Sequence, residues 1–289
     1  MKKEVSLNSY SHHAPKMDWL RQYFEFKNEF DTRNSLGKNM RDFFGTFLRD
    51  ARLLDDSGFS KTAEMIDEIG YTTQTAWGII YVNLCHPPQK EAKEPKKPKK
   101  SKKQAEPTEP KEQVRKVKQV EWYVSHVDID TEYPRELLES MMVDAGAKES
   151  WTSDIFGSIK RLSELPMGDL GFGHVIKVGK TSYITRGHWH DPIPEVVLYG
   201  LYRFAEACDH YYQFTLETLL DDSIERDGIS PTRIFGLDRK TMVPILNGLT
   251  SSYPDFISAS FTLDLDNITL RENKTAEDVL ELFKGGSWA

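Results

Sequence analysis

Cysteine is scarce: the 289 residues hold two, Cys85 and Cys208. Two thiols cannot build a disulfide framework or a four-thiolate metal site, and the expectation is two reduced, buried thiols in a cytoplasmic protein. Long apolar runs are missing as well. No stretch reaches the roughly 18 residues of a membrane helix, so no membrane partner is expected. The opening MKKEVSLNSYSHHAPK carries lysines with no apolar segment behind them and does not read as a secretory signal. Phosphate-binding and nucleophile signatures are also lacking: there is no Walker-type loop, no dinucleotide fingerprint and no Gly-x-Ser-x-Gly elbow. Asp264-Leu-Asp266-Asn267 opens like a calcium loop, but Thr269 and Thr275 stand where Gly and Glu are needed. Asp128-Ile-Asp130-Thr-Glu132 fails the same way at Tyr133. No cofactor is expected.

Apolar and aromatic residues are plentiful, at 38% and 11%, enough for two modest domains, each with a core. Charge is unevenly spread. Twelve Lys or Arg against five Glu between Lys90 and Lys118 give that stretch +7, which leaves −14 for the rest once set against the overall −7. Residues 87–116 are therefore expected to be a disordered Lys/Pro/Glu-rich linker, solvated more than binding because glutamates interrupt the lysines. An acidic remainder argues against a large nonspecific DNA footprint.

Four parts follow from this break. Residues 1–86 read as a helical unit: an aromatic-rich helix over 16–30, an amphipathic helix over Ser35–Leu54 with Leu36, Met40, Phe43, Phe44, Phe47, Ala51 and Leu54 on one side, and a short helix over Thr62–Ile69. Thr75–Leu84 fits helix or strand. After the linker, residues 117–194 read as a strand over Val117–Val124, helices from Pro134 to Met142 and from Thr152 or Ser153 to Leu165, and a hairpin turning at Gly179-Lys180. Residues 195–284 begin with a helix over Val196–Ala207 that is apolar on every side and so central, followed by helix over Tyr211–Leu220. Ser230-Pro231 and Asp238 start two further helices, Phe261, Leu263 and Leu265 alternate as a strand, and Asp266-Asn267 supplies a turn. Thr275 with Asp278 caps a last helix. Helix, helix, hairpin occurs twice, so the expected fold is α+β, mainly α with small hairpins, with two winged-helix-like units around a buried central helix.

Chemistry-bearing residues are few. Arg186-Gly-His-Trp-His-Asp191 places His188 and His190 on one face if extended, and His174 and Asp191 would complete a nitrogen and oxygen shell for a divalent metal. Pro192 and Pro194 more simply mark a loop with partly exposed, structural histidines. For duplex DNA, Lys160 and Arg161 lie on the helix that would enter the groove and Lys177 and Lys180 on its wing; Arg233, Arg239 and Lys240 are their counterparts in the second unit. Asp154, Glu164 and Asp238 lie beside them, and winged helices also dock proteins.

The segments SHHAPKMDWL, SLGKNMRDFFGTFLRDARLL, PEVVLYGLYRFAE and GISPTRIFGLDRKTM, with SYPDFISASFTLDLDNITL, resemble an uncharacterised bacterial domain. That domain is found appended to, or encoded beside, phosphoadenosine-phosphosulfate (PAPS) reductase-like proteins in phage-defence and DNA-modification islands. The resemblance spans both folded parts and implies a system whose PP-loop enzyme activates a substrate with ATP. The Ser-Gly-Gly-x-Asp-Ser loop of that enzyme is absent here, as is a cysteine cluster, so no catalytic residue carries over. The leading expectation is a non-catalytic accessory protein that docks a PP-loop enzyme or another subunit, with double-stranded DNA as a further partner. A sequence-specific DNA-binding regulator and a metal-dependent enzyme built on His174, His188, His190 and Asp191 are the alternatives.

Overall fold

Aromatic side chains at helical spacing build the N-terminal part of the computed structural model, which describes residues 3–10, 14–89, 115–221, 223, 226–262 and 265–286. Strand β1 (Lys3–Ser6) precedes α1 (Met17–Phe26), the single turn α2 (Phe30–Arg33) and α3 (Lys38–Asp50). The rings of Tyr23, Phe30 and Phe44 meet edge to face with centroids 5.4–6.3 Å apart. The helix expected over Ser35–Leu54 is shorter at both ends. Gly37 is extended, and Arg52 turns into the left-handed region at φ 58°, sending the chain into the hairpin of β2 (Leu54–Asp55) and β3 (Gly58–Phe59). Met40, expected on the apolar side, is 39% exposed. Helix α4 (Lys61–Ile69) starts where Ser60 accepts the Ala63 N–H, and α5 (Gln74–Cys85) where Thr73 accepts that of Ala76. The ambiguous run is thus helical, and it shows no period because every residue from Thr75 to Cys85 is buried.

The chain returns in β4 (Arg115–Lys118), which pairs in parallel with β1, and the Lys116 N–H donates to Gln89 Oε1 at 3.4 Å. The two ends of the basic segment therefore sit side by side. Most of the expected disordered linker, residues 90–114, lies outside the described residues, as do His12, His13 and the tail from 287, whereas Arg115 and Lys116, also expected in the linker, are strand residues of β4. The strand expected over Val117–Val124 is corrected: strand ends at Lys118 and Gln119–His126 is helix α6. Glu121 accepts the Lys118 N–H at 3.3 Å and so caps the turn. Burial of Gln119 through Val124 erases the polar face that would have marked a helix.

Beyond α6 come β5 (Glu132–Pro134), α7 (Arg135–Asp144), α8 (Glu149–Ser163), β6 (His174–Val178) and β7 (Thr181–Thr185), in an antiparallel sheet ordered β5-β7-β6. The second unit repeats this connectivity. Its parts are α9 (Pro194–Ala207), β8 (Gln213–Phe214), α10 (Leu216–Leu220), α11 (Pro231–Phe235), α12 (Arg239–Ser252), β9 (Ile257–Thr262) and β10 (Leu265–Leu270), with sheet order β8-β10-β9. In both, the first strand pairs with the last. The helix expected over Tyr211–Leu220 is corrected, because Asp209 and His210 are left-handed (φ 52° and 59°) and aim Gln213-Phe214 into the sheet. The turn expected at Asp266-Asn267 is also corrected: both are strand residues, opposite Phe261 and Ser260. Leu263, expected in that strand, lies outside the described residues. Ser230, Asp238 and Thr275 cap α11, α12 and a last helix, α13 (Ala276–Leu280), as their side chains suggest. The fold is α+β, mainly helical with small, mostly antiparallel sheets.

Helices α5 and α9 form the centre. They approach so closely that a Cβ on Gly78 would lie 2.7 Å from Val196 Cγ1. Between them runs a buried polar chain: Arg203 donates to Tyr199 Oη at 3.0 Å, Tyr199 to Asn83 Oδ1 at 2.7 Å, and Asn83 to the Ala51 carbonyl at 3.1 Å. Arg203 also pairs with Glu206 and Glu277, each at 2.8 Å. The N-terminal helices and the two later units thus share one core. Among the described residues no helix is long and apolar enough to cross a membrane.

Candidate functional site

The stretch Arg186-Gly-His-Trp-His-Asp191 follows β7 and enters the seam between the two repeated units. Arg186 is fully buried. Its Nη1 donates to the Val124 and Val127 carbonyls at 2.9 and 3.1 Å, and its Nη2 to those of Arg233 and Ile234 at 2.6 and 3.0 Å. Val124 and Val127 lie at the C-terminal end of α6, where carbonyls lack helical partners and the helix dipole favours a cation. Arg233 reaches the same carbonyls from α11, Nε to Val124 at 2.9 Å and Nη2 to Val127 at 3.2 Å, and pairs with Asp128 at 3.0 Å. That guanidinium holds the Asp128 carboxyl below its usual range. Two arginines from different units thus clasp one helix end.

His188 and Trp189 extend the clasp. His188 Nε2 lies 2.7 Å from Asp130 Oδ2, and its Nδ1 contacts the Gly236 carbonyl. Both partners only accept, so the imidazolium is the form that satisfies both nitrogens. The Asp130 hydrogen bond, with the Gly236 carbonyl second, raises the His188 pKa. Trp189 is buried; its N–H donates to the Phe235 carbonyl at 2.8 Å and its indole Nε1–H to Gln74 Oε1 at 3.3 Å. Gly236, at φ 66°, must remain small: a Cβ there would lie 2.6 Å from the Gly187 carbonyl oxygen.

This geometry corrects the metal reading. Both ring nitrogens of His188 are engaged, His190 and Asp191 are exposed in the loop before α9, and His174 is exposed at the start of β6. Among the described residues no group of three or more His, Cys, Asp or Glu converges as a metal site. Burial pushes the thiols of Cys85 and Cys208 up, away from the thiolate that a nucleophile needs.

The residues suggested for DNA contact are scattered in their fates. Arg233, suggested for DNA, is 9% exposed, and its guanidinium is taken up by the clasp. Arg239 pairs with Asp266 at 2.6 Å, and Lys160 lies 3.9 Å from Glu164. Lys177 and Lys180 on the β6–β7 hairpin, Arg161 near the end of α8 and Lys240 on α12 are exposed. The exposed side of α12 is otherwise nearly uncharged, with Pro244, Asn247, Gly248 and Ser251. No protein-family model matches the chain, and no curated protein or solved structure matches it either. Sequence reasoning missed Arg186 as a functional anchor. Its one signal was an arginine directly after an alternating strand, where the side chain would face the interior.

Proposed function

We propose that this chain is a non-catalytic adaptor with two winged-helix-like units, docking a partner protein rather than reading a duplex. The shared connectivity, first strand beside last, supports the winged-helix reading of both units. The observation that carries docking is the surface of the first unit. On the outer side of its sheet, Ile176 and Val178 of the edge strand β6 are 39% and 61% exposed, and Ile176 stands opposite Tyr183, itself opposite Pro134. Exposed apolar side chains on an open strand edge are what a protein partner covers. Meanwhile Arg233, which a DNA reader would offer to phosphates, is drawn into the chain's own buried contacts. The resemblance described above names the partner class: a PP-loop, PAPS-reductase-like enzyme of a phage-defence or DNA-modification system, or another subunit of it.

The test is capture of the tagged protein from its native cells, with and without nuclease. A PP-loop enzyme retained after nuclease, and lost with the pair Ile176→Asp and Val178→Lys, is the expected result. Recovery of nucleic acid alone, released by raised salt, would refute it. That outcome would favour the second reading, DNA binding through Lys160, Arg161, Lys177, Lys180 and Lys240, for which the exposed hairpin lysines speak.

A further inference from the structure

The second unit contains a cavity of roughly 440 Å³, away from the clasp, in the size range of small-molecule sites. It opens where α9 ends, and its apolar side consists of Phe204, Phe214 and Tyr211. The Phe204 and Phe214 rings are 5.2 Å apart and tilted, and Tyr211 stands edge-on to Phe214 at 5.8 Å. Tyr211 is 61% exposed, a large aromatic side chain left at the rim.

Arg226 supplies the polar feature. Its guanidinium lies 5.7 Å from the centroid of Phe204, and Nη2 is buried with no hydrogen-bond partner. Arg52 Nε and Arg186 Nε are also buried without an acceptor, but Arg226 Nη2 belongs to a residue that lines a cavity, where a ligand oxygen can reach it. Asp209 also lines the cavity. Its carboxylate disfavours a free phosphate dianion at the site and instead accepts N–H donors.

We infer that this cavity binds a guanine base. Stacking faces, one cationic donor and a neighbouring carboxylate match the guanine edge, which presents O6 and N7 as acceptors beside N1–H and N2–H donors. Arg226 would donate to O6 or N7, an aspartate would accept from N1 or N2, and Tyr211 would cover the exposed ring face. Adenine inverts this pattern at its six-position, where an amino group would face the guanidinium. A free nucleoside and a base carried on a single strand share this chemistry.

The experiment is isothermal titration of the full-length protein with guanosine, with adenosine, and with short single-stranded oligonucleotides with or without one guanine. Expected is saturable guanosine binding that is about tenfold or more tighter than adenosine. Arg226→Gln should weaken it about tenfold or more with an unchanged melting temperature, and Tyr211→Ala, at an exposed position, should weaken it about three- to tenfold. Binding of the guanine oligonucleotide alone, with the same loss in Arg226→Gln, would place the base on a strand. No saturable binding of either probe at millimolar concentration, or binding that both variants leave unchanged, would overturn the assignment.

Discussion

Replacing Arg186 by methionine removes four charge-assisted hydrogen bonds without opening a large hole. The consequences differ among the four carbonyls. Val124 and Val127 keep a donor from Arg233. The Arg233 and Ile234 carbonyls lose the Arg186 guanidinium inside the core. Two deprived acceptors at about 1–3 kcal/mol each give roughly 2–6 kcal/mol. No longer burying a cation returns part of this, and we expect a net loss of about 3 kcal/mol. At about 2–4 °C per kcal/mol for a chain of this size, melting should fall by about 6–12 °C. Calorimetry together with urea unfolding measures both quantities. Arg186→Lys should fall between the two proteins, since one ammonium cannot span both pairs of carbonyls. Arg186→Met and Arg233→Met combined should cost about 1–2 kcal/mol more than their sum, because only then do Val124 and Val127 lose both donors. A single Arg186→Met variant melting within about 2 °C of wild type would refute the clasp as a stabilising element.

Three further outcomes follow from other contacts. Gly78→Ala places a methyl 2.7 Å from Val196 Cγ1 and should cost about 1–3 kcal/mol, recovered in large part when Val196→Ala is added; thermal melts of the pair decide it. His188 has a folded pKa above its unfolded value, so its contribution is fully present below the ordinary 6.5 and is lost as pH rises through the raised folded value. Asp130 and Asp238 are the acidic groups that raise it, and the melting difference between wild type and His188→Gln should therefore shrink from pH 6 to pH 9. Replacing residues 90–114 by a short Gly-Ser bridge should leave stability within about 1 kcal/mol, because Gln89 and Lys116 are already hydrogen-bonded and loop-closure entropy changes slowly with length. Urea unfolding of the shortened protein measures this.

What could be read in advance was local. Ser230, Asp238 and Thr275 announce their helices because a cap is a bond across three residues, and the Gly179-Lys180 turn lies between two alternating runs. The largely apolar character of Val196–Ala207 correctly marks a helix central to the core. Gln119–His126 misled because a helix buried on most sides has no polar stripe, and its β-branched and aromatic residues favour strand. Tyr211–Leu220 misled because the break falls at Asp209 and His210, two non-glycine residues in left-handed backbone. The clasp was illegible for a different reason. Arg186 bonds to main-chain carbonyls 62 and 47 residues away, and a carbonyl is the same on every residue type, so no side-chain pattern betrays it. The histidines between Arg186 and Asp191 suggested a metal loop, whereas the arginine and tryptophan of that stretch carry the burial.

The pairing of β1 with β4 sets an order of events for a chain emerging from the ribosome. Lys3–Ser6 cannot find its neighbour until Arg115–Lys118 has been made, and α5 lacks the α9 side of its packing until Val196 follows. More than a hundred residues separate the end of α5 from Val196, and over that span the face of α5 that meets α9 has no partner. The first 86 residues alone would be a sticky fragment, and the charged insert between Gln89 and Arg115 is made just when solubility matters most.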